Sequence, residues 1–374
     1  MADGDISRVK MPKWGLSMES GRITEWLAAE GDEVKAGQEL AEIDTDKIAG
    51  ALESPADGVL RRIIVQTEDS APVGATIAVV APAETADADI DAVVAEAAEQ
   101  LAKGEIEEPT GPVVAVAEVG GRPISYASMG DGEDVIVLVH GYGGDKNSWL
   151  FVQEPLSRTR TVHALDLPGH GASTKDVGDG SLDTLAATLI GFMDAVGAER
   201  AHLVGHSLGG AVATAAAASA PGRVTGLTLV APAGYGTGVD VGYLRGFASA
   251  RSRRELRPHL GKLFADEGQV NRQLVDDLLR YKRLDGVDAA LETLLGTLLD
   301  GDEQAIDAVP LLQQVNVPVT VVWGVSDKVM LTPDAGTTYG PAEVRLVDGA
   351  GHMAHMEKPH DVVAAVEATE GNSQ

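Results

Sequence analysis

From about residue 113 onward the chain alternates continuous apolar runs with glycine-rich turns and helix-forming stretches. The runs lie in DVIVLVHGYGG (134–144), RTVHALDLPGHGAS (160–173), RAHLVGHSLGG (200–210), VTGLTLVAPAG (224–234), VPVTVVWGVSDKV (317–329) and AEVRLVDGAGH (342–352). Short uninterrupted Val/Leu/Ile runs suit strands buried on both faces, and the stretches between them suit the crossover helices of a parallel sheet. Residues 236–311 break the alternation and read as helical, which predicts an inserted lid. The expected α/β domain spans 113–370.

The first 83 residues keep a different rhythm: short β-rich stretches punctuated by turns such as AAEGDEVKAGQ and QTEDSAPVGA. Sliding the chain by 37 positions pairs Gly21 with Gly58, Ile23 with Leu60, Trp26 with Ile63, Gly37 with Gly74 and Leu40 with Ile77. Such a repeat predicts an all-β domain of two similar halves, residues 1–83. Lys47 lies 37 after Lys10 and 37 before Glu84, where one half hands over to the next. If a two-fold axis relates the halves, Lys47 projects from a hairpin tip remote from both chain ends.

Between the domains, residues 84–112 turn acidic and alanine-rich. Ile90, Val93, Val94, Ala97 and Leu101 fall on one helical face and Gly104 is a stop signal, so a short helix is expected in this linker. Two placements stay open: resting on the second domain, which is the expectation, or docking to a partner subunit.

Composition narrows the chemistry. A length of 374 residues favours two domains, and 44% hydrophobic residues suffice for proper cores. The absence of cysteine excludes disulfides, zinc–thiolate sites and thiol catalysis by the protein itself. A formal net charge of −28 argues against nucleic acid as a partner. No run approaches membrane-spanning length and the N-terminus lacks a signal-like apolar region, so a soluble cytoplasmic protein is expected, with no membrane partner.

In LVGHSLGG (203–210), G-x-S-x-G follows a predicted strand and opens an alanine-rich helix, the context in which a tight turn exposes Ser207 as a nucleophile. The His140–Gly144 turn after a buried strand can aim the Tyr142 backbone N–H at an oxyanion beside that of Leu208. Asp327 stands just after VTVVWG and His352 after the last strand, giving the order Ser207, Asp327, His352. His352 and His355 lie three apart without a third ligand, so no metal is expected. His206 is expected to pack or hydrogen-bond locally, His163 to be structural, and His140 to shape the loop beside the oxyanion.

These motifs, with D-x-P-G-x-G at 166–171, resemble the α/β-hydrolase superfamily over roughly residues 113–370. The resemblance implies a Ser207–His352–Asp327 triad and an oxyanion hole at Tyr142 and Leu208. MPKWGLSMESG, EGDEVKAGQ, EIDTDKI and SPADGVL resemble the lipoyl domains, flattened β-barrels, over residues 5–82. That family carries lipoate in amide linkage on the lysine of the Asp-Lys pair, here Lys47. The two domains in this order resemble the E2 components of acetoin dehydrogenase systems. The resemblance implies an acyltransferase, a dihydrolipoyllysine-residue acetyltransferase, that accepts an acetyl group on lipoyl-Lys47 and passes it to coenzyme A. It further implies a multienzyme complex with a thiamine-diphosphate-dependent E1 and dihydrolipoamide dehydrogenase E3, and a homo-oligomer is expected. No H-x-x-x-D-G signature of the usual E2 transferase domain is present, so the chemistry falls to the hydrolase fold. The competing readings are a lipoyl-fused ester or carbon–carbon bond hydrolase and a non-catalytic lipoyl carrier.

Residues 245–262 gather Arg245, Arg251, Arg253, Arg254, Arg257 and Lys262 against one acid, Glu255. Three readings stay open for Arg251, Arg253, Arg254 and Arg257. They form a solvated helix face, they bind the coenzyme A phosphates, or they dock the acidic lipoyl domain.

Overall fold

A computed structural model describes residues 6–12, 18–45, 49–104, 106, 111–236, 238–334 and 336–371. The chain divides into two compact units, residues 1–111 and 112–374.

Among the described residues the first unit has eight strands: β1 (Ser7–Lys10), β2 (Ser20–Trp26), β3 (Glu33–Val34), β4 (Glu39–Asp44), β5 (Ala49–Glu53), β6 (Gly58–Ile63), β7 (Ser70–Pro72) and β8 (Thr76–Ala81). They form two four-stranded sheets, ordered β1-β8-β6-β3 and β5-β4-β2-β7, with antiparallel pairing throughout. The 37-residue shift carries β2 onto β6, β3 onto β7 and β4 onto β8, so each sheet repeats the strand order of the other. Residues equivalent under the shift are buried alike: Ile23 with Leu60, Leu40 with Ile77. Strands β4 and β5 pair up to Asp44 and Ala49; Lys47, in the sequence between them, lies outside the described residues.

Helix α1 (Asp87–Lys103) forms where the apolar stripe predicted a helix, and Gly104 ends it in the left-handed conformation, φ 67°. Its placement corrects the expectation drawn from the sequence. Ile90 and Ala97 are buried, and Ile90, Val93 and Val94 pack with Val79 and Ala81 of β8. Arg8, Arg61 and Arg62 of the sheet pair with Glu96, Asp87 and Asp91 of the helix. The acidic face that made this segment look like a linker meets the first unit's own arginines. The helix belongs to the first unit.

In the second unit the strands are β9 (Val113–Val119), β10 (Arg122–Met129), β11 (Val135–Val139), β12 (Thr161–Leu165), β13 (Ala201–His206) and β14 (Val224–Val230). A two-residue hairpin, β15 (Leu299–Asp300) with β16 (Glu303–Gln304), is followed by β17 (Val319–Gly324) and β18 (Glu343–Val347). All but the hairpin form one sheet, ordered β18-β17-β14-β13-β11-β12-β10-β9. Pairing from β12 through β18 is parallel, and β9 and β10 close one side antiparallel. Helices α2 (Leu150–Leu156), α3 (Leu182–Ala195), α4 (Leu208–Ser219) and α11 (Pro359–Gly371) cover the two faces, with the short α9 (Val309–Leu312) and α10 (Ala354–Glu357). Along β11, Val137 and Val139 enter one apolar cluster with α3 and α4, while Ile136 and Leu138 enter the other with α2 and α11. Burial on both faces explains the unbroken apolar runs, each such side chain contributing about 1.5–3 kcal/mol.

Strand order reverses at β11: the chain leaves it for β12 on one side and returns to β13 on the other. Loops at the carboxyl ends of β11 and β13 therefore diverge and leave a crevice, the position at which open α/β sheets place their sites. Over it lie four helices inserted between β14 and β17: α5 (Val241–Ser249), α6 (Arg253–Leu260), α7 (Arg272–Lys282) and α8 (Val287–Leu298). Among the described residues no helix is long and apolar enough to cross a membrane.

Candidate active site

Ser207 sits between the last residue of β13 and the first of α4 with φ 53° and ψ −119°, a strained conformation for a residue with a side chain. The turn closes only because its flanks lack side chains. A methyl group on Gly205 would stand 2.4 Å from the Gly209 carbonyl oxygen, and one on Gly209 would stand 2.3 Å from that of Val139. The strain presents the Ser207 side chain beside the β11 turn, where a methyl on Gly141 would come within 2.9 Å of Ser207 Cβ.

Asp327 follows β17 and His352 follows β18, and the two meet. His352 Nδ1 lies 2.9 Å from Asp327 Oδ2, and both side chains are buried. The other carboxylate oxygen accepts the backbone N–H groups of Val329 (2.8 Å) and Met330 (3.1 Å), which fixes the carboxylate's orientation. A carboxylate facing Nδ1 keeps the proton there, so Nε2 is the basic nitrogen.

The turn from His140 to Gly144 is held by two neutral imidazoles. His140 Nδ1 donates to the Gly141 carbonyl (2.7 Å) while its Nε2 accepts the Leu167 N–H (2.9 Å). His170 Nδ1 donates to Pro168 (3.0 Å) and its Nε2 accepts the Gly143 N–H (3.0 Å). Burial lowers both from the ordinary imidazole range, His170 to about 3, so each stays in the tautomer that these bonds require. Among the described residues neither the Tyr142 nor the Leu208 backbone N–H donates to a protein acceptor. Both N–H groups are thus unengaged.

Further residues support the site: Glu357, whose role the sequence did not reveal, and Asp166, which opens the D-x-P-G-x-G motif. Glu357 accepts the N–H of Gly351 (2.8 Å) and of Ala265 (2.7 Å), tying the His352 loop to the segment after α6. Asp166 accepts from the Lys146 backbone N–H (2.8 Å) and ammonium (2.7 Å) and from Ala172 N–H (2.9 Å). Burial opposes its charge, but the Lys146 ammonium and the neighbouring His140, together with the hydrogen bonds that Lys146 donates, hold the carboxyl below its usual range. The D-x-P-G-x-G pattern was the available signal for Asp166. The lid is fastened to the same loops: Tyr142 Oη donates to the Leu291 carbonyl of α8 (2.9 Å), and Tyr281 Oη of α7 to that of Gly169 (2.7 Å).

His206 donates through Nε2 to the His352 carbonyl (3.0 Å), a local structural role. His163 packs edge-on against Tyr126 and Phe192. His355 is buried between Trp149 and His206, with ring centroids 4.4 and 4.5 Å away. Among the described residues no group of three metal-binding side chains is assembled.

The basic cluster on the lid is largely neutralised by acids distant in sequence. Arg253 clasps Asp276 through two nitrogens, Arg251 pairs with Asp288 (3.0 Å), Arg245 with Asp302 (2.8 Å), and Lys262 with Asp240. Arg254 and Arg257 are exposed one turn apart on α6, without an ion pair among the described residues.

Comparison with known proteins bears on the whole chain. Residues 7–80 match the family described as "Biotin-requiring enzyme", of biotin/lipoyl type, and residues 134–359 match "alpha/beta hydrolase fold". The dihydrolipoyllysine-residue acetyltransferase component of the acetoin cleaving system of Pseudomonas putida is 45% identical over 360 residues, 96% of each chain. That of Cupriavidus necator is 45% identical over 356 residues, 95% of each. The chain belongs to this acetyltransferase component family. Similarity outside the family reaches the second unit. A 2-hydroxy-6-oxononadienedioate/2-hydroxy-6-oxononatrienedioate hydrolase of Paraburkholderia phymatum is 30% identical, over 63% of this chain and 86% of its own. The crystal structure of a Rhodococcus 2-hydroxy-6-oxo-6-phenylhexa-2,4-dienoate hydrolase superposes with a TM-score of 0.62 at 21% identity. It covers 70% of this chain and 98% of its own, and shares the fold. The hydrolases thus share the second unit, whereas the acetyltransferase components match both units end to end.

Proposed function

We propose that the chain is the acetyltransferase component of an acetoin-cleaving multienzyme complex, moving an acetyl group from a lipoyl thioester to coenzyme A at Ser207. The carrying observation is the buried His352–Asp327 pair, whose loop is bonded to His206, the residue before a strained Ser207, together with two unengaged backbone N–H groups, in a chain matched over both units by such components. Lys47, in the β4–β5 connection of a two-fold β unit, would hold lipoate in amide linkage, and that group supplies the thiol that carries the acyl cargo.

His352 Nε2 takes the Ser207 hydroxyl proton as Oγ attacks the thioester carbonyl. The Tyr142 and Leu208 N–H groups stabilise the resulting oxyanion. Collapse expels the first thiol, which takes the proton from His352, and leaves Ser207 acylated. His352 then deprotonates the coenzyme A thiol; the thiolate attacks the acyl-serine, and Ser207 recovers the proton. Asp327 keeps Nδ1 protonated throughout. Within the 245–262 cluster, Arg254 and Arg257 are the arginines without an ion pair among the described residues, and they would meet the coenzyme A phosphates. The complex would also hold the thiamine-diphosphate-dependent E1 and dihydrolipoamide dehydrogenase E3. The component itself would be a cytoplasmic homo-oligomer.

Product analysis with the full-length chain tests the reading. Given an acetylated dihydrolipoyl donor and coenzyme A, the transferase forms acetyl-CoA, a hydrolase releases acetate, and a pure carrier forms neither.

A further inference from the structure

The lid meets the oxyanion turn through one aromatic ring. Phe247 of α5 is buried, and a methyl group on Gly143 would stand 2.4 Å from its Cε1 and Cζ, so the ring rests on the Gly143 backbone. Its centroid lies 5.9 Å from that of Tyr142, edge to face, and 6.1 Å from that of Tyr243. Gly141, two residues back, abuts Ser207 Cβ. The turn therefore has the nucleophile at one end and the lid ring at the other.

Lys282 of α7 fixes that ring. It is itself buried, and its Nζ donates to the carbonyls of Phe247 (2.7 Å) and Ala248 (3.0 Å), 4.9 Å from the centroid of the Phe247 ring. These carbonyls belong to the last turn of α5, where helical partners run out. An exposed lysine would serve to cap a helix end. Burying one beneath the lid secures the backbone that carries Phe247 and engages the ring as well.

We propose that Phe247 is the water shield of the acyl-transfer site and that Lys282 is the residue that positions it. The inference rests on the acyl-serine route and says why a hydrolase-like site would transfer. Acyl-serine has two fates. Attack by the coenzyme A thiol, with its proton passing to His352, gives acetyl-CoA; attack by water gives acetate. Either way Ser207 recovers its proton. The Phe247 ring covers the Gly143 backbone of the turn that abuts Ser207, and by excluding solvent there it would slow the water route selectively.

The test measures acetyl-CoA and acetate together, using the full-length chain, S-acetyldihydrolipoamide and coenzyme A. Phe247→Ala should raise the acetate to acetyl-CoA ratio by about tenfold or more. Lys282→Met should raise it by about threefold. Phe247→Leu keeps an apolar side chain but not the ring, and gives the same comparison if the alanine variant does not fold. Equal loss of both products, with the ratio unchanged, overturns the shield while leaving the transferase reading intact. Wild-type protein that yields acetate alone contradicts the transferase reading and the shield together.

Discussion

His206 Nε2 donates to the backbone carbonyl of His352 across 3.0 Å, so the residue before Ser207 holds the loop of His352, the base of the proposed mechanism. Burial, with the neighbouring His355 and His352, keeps the His206 imidazole well below its ordinary range, so the bond is that of a neutral donor.

Breaking this bond should loosen the base without removing it. His206→Phe is expected to lower kcat by about three- to tenfold, the worth of one hydrogen bond of about 0.5–1.5 kcal/mol. KM for coenzyme A should stay near wild type. Steady-state kinetics check this; an unchanged kcat assigns His206 to packing alone.

His355 offers a pH test. Neither ring nitrogen has a hydrogen-bond partner among the described residues, and burial lowers its pKa to about 3. The unfolded chain binds a proton there near the ordinary 6.5, the folded chain only near 3. Stability from neutral His355 is therefore fully present above pH 6.5 and is lost as pH falls toward 3. Chemical denaturation of His355→Phe between pH 6 and 4 should show a slope shallower than wild type by up to about 1.4 kcal/mol per pH unit. At pH 7 the variant should be as stable as wild type or more so, because the ring stays packed and two orphan polar atoms are gone.

How much of this was legible in the sequence differs by feature. The 37-residue repeat identified the strands that correspond, because a period of two and a shared turn pattern leave a local trace. The Ser207 turn was legible because close backbone approach admits only glycine on its flanks. The placement of α1 was not: an apolar stripe says that a face is buried, not against what. Nor could spacing show that Asp276, 23 residues from Arg253, neutralises it, or that Phe247 covers Gly143, because tertiary packing creates both contacts.

Arg254 and Arg257 carry the remaining question of the lid. Replacing both by glutamate should raise KM for coenzyme A by about tenfold with little change in kcat, as expected for phosphate contacts. The effect should shrink at high salt. Kinetics with coenzyme A and with the acetylated donor varied separately decide the matter. A rise only for the donor favours docking of the acidic first domain, and no change makes the pair a solvated face.

The central claim is that Ser207 receives the acyl group. Acetyl-CoA formation by Ser207→Ala, with folding checked by circular dichroism, tests it most directly. A loss of about 10³-fold or more is expected, with intact-mass analysis of quenched wild-type turnover showing an acetyl adduct that the variant lacks. Transfer at near wild-type rate by Ser207→Ala would contradict it.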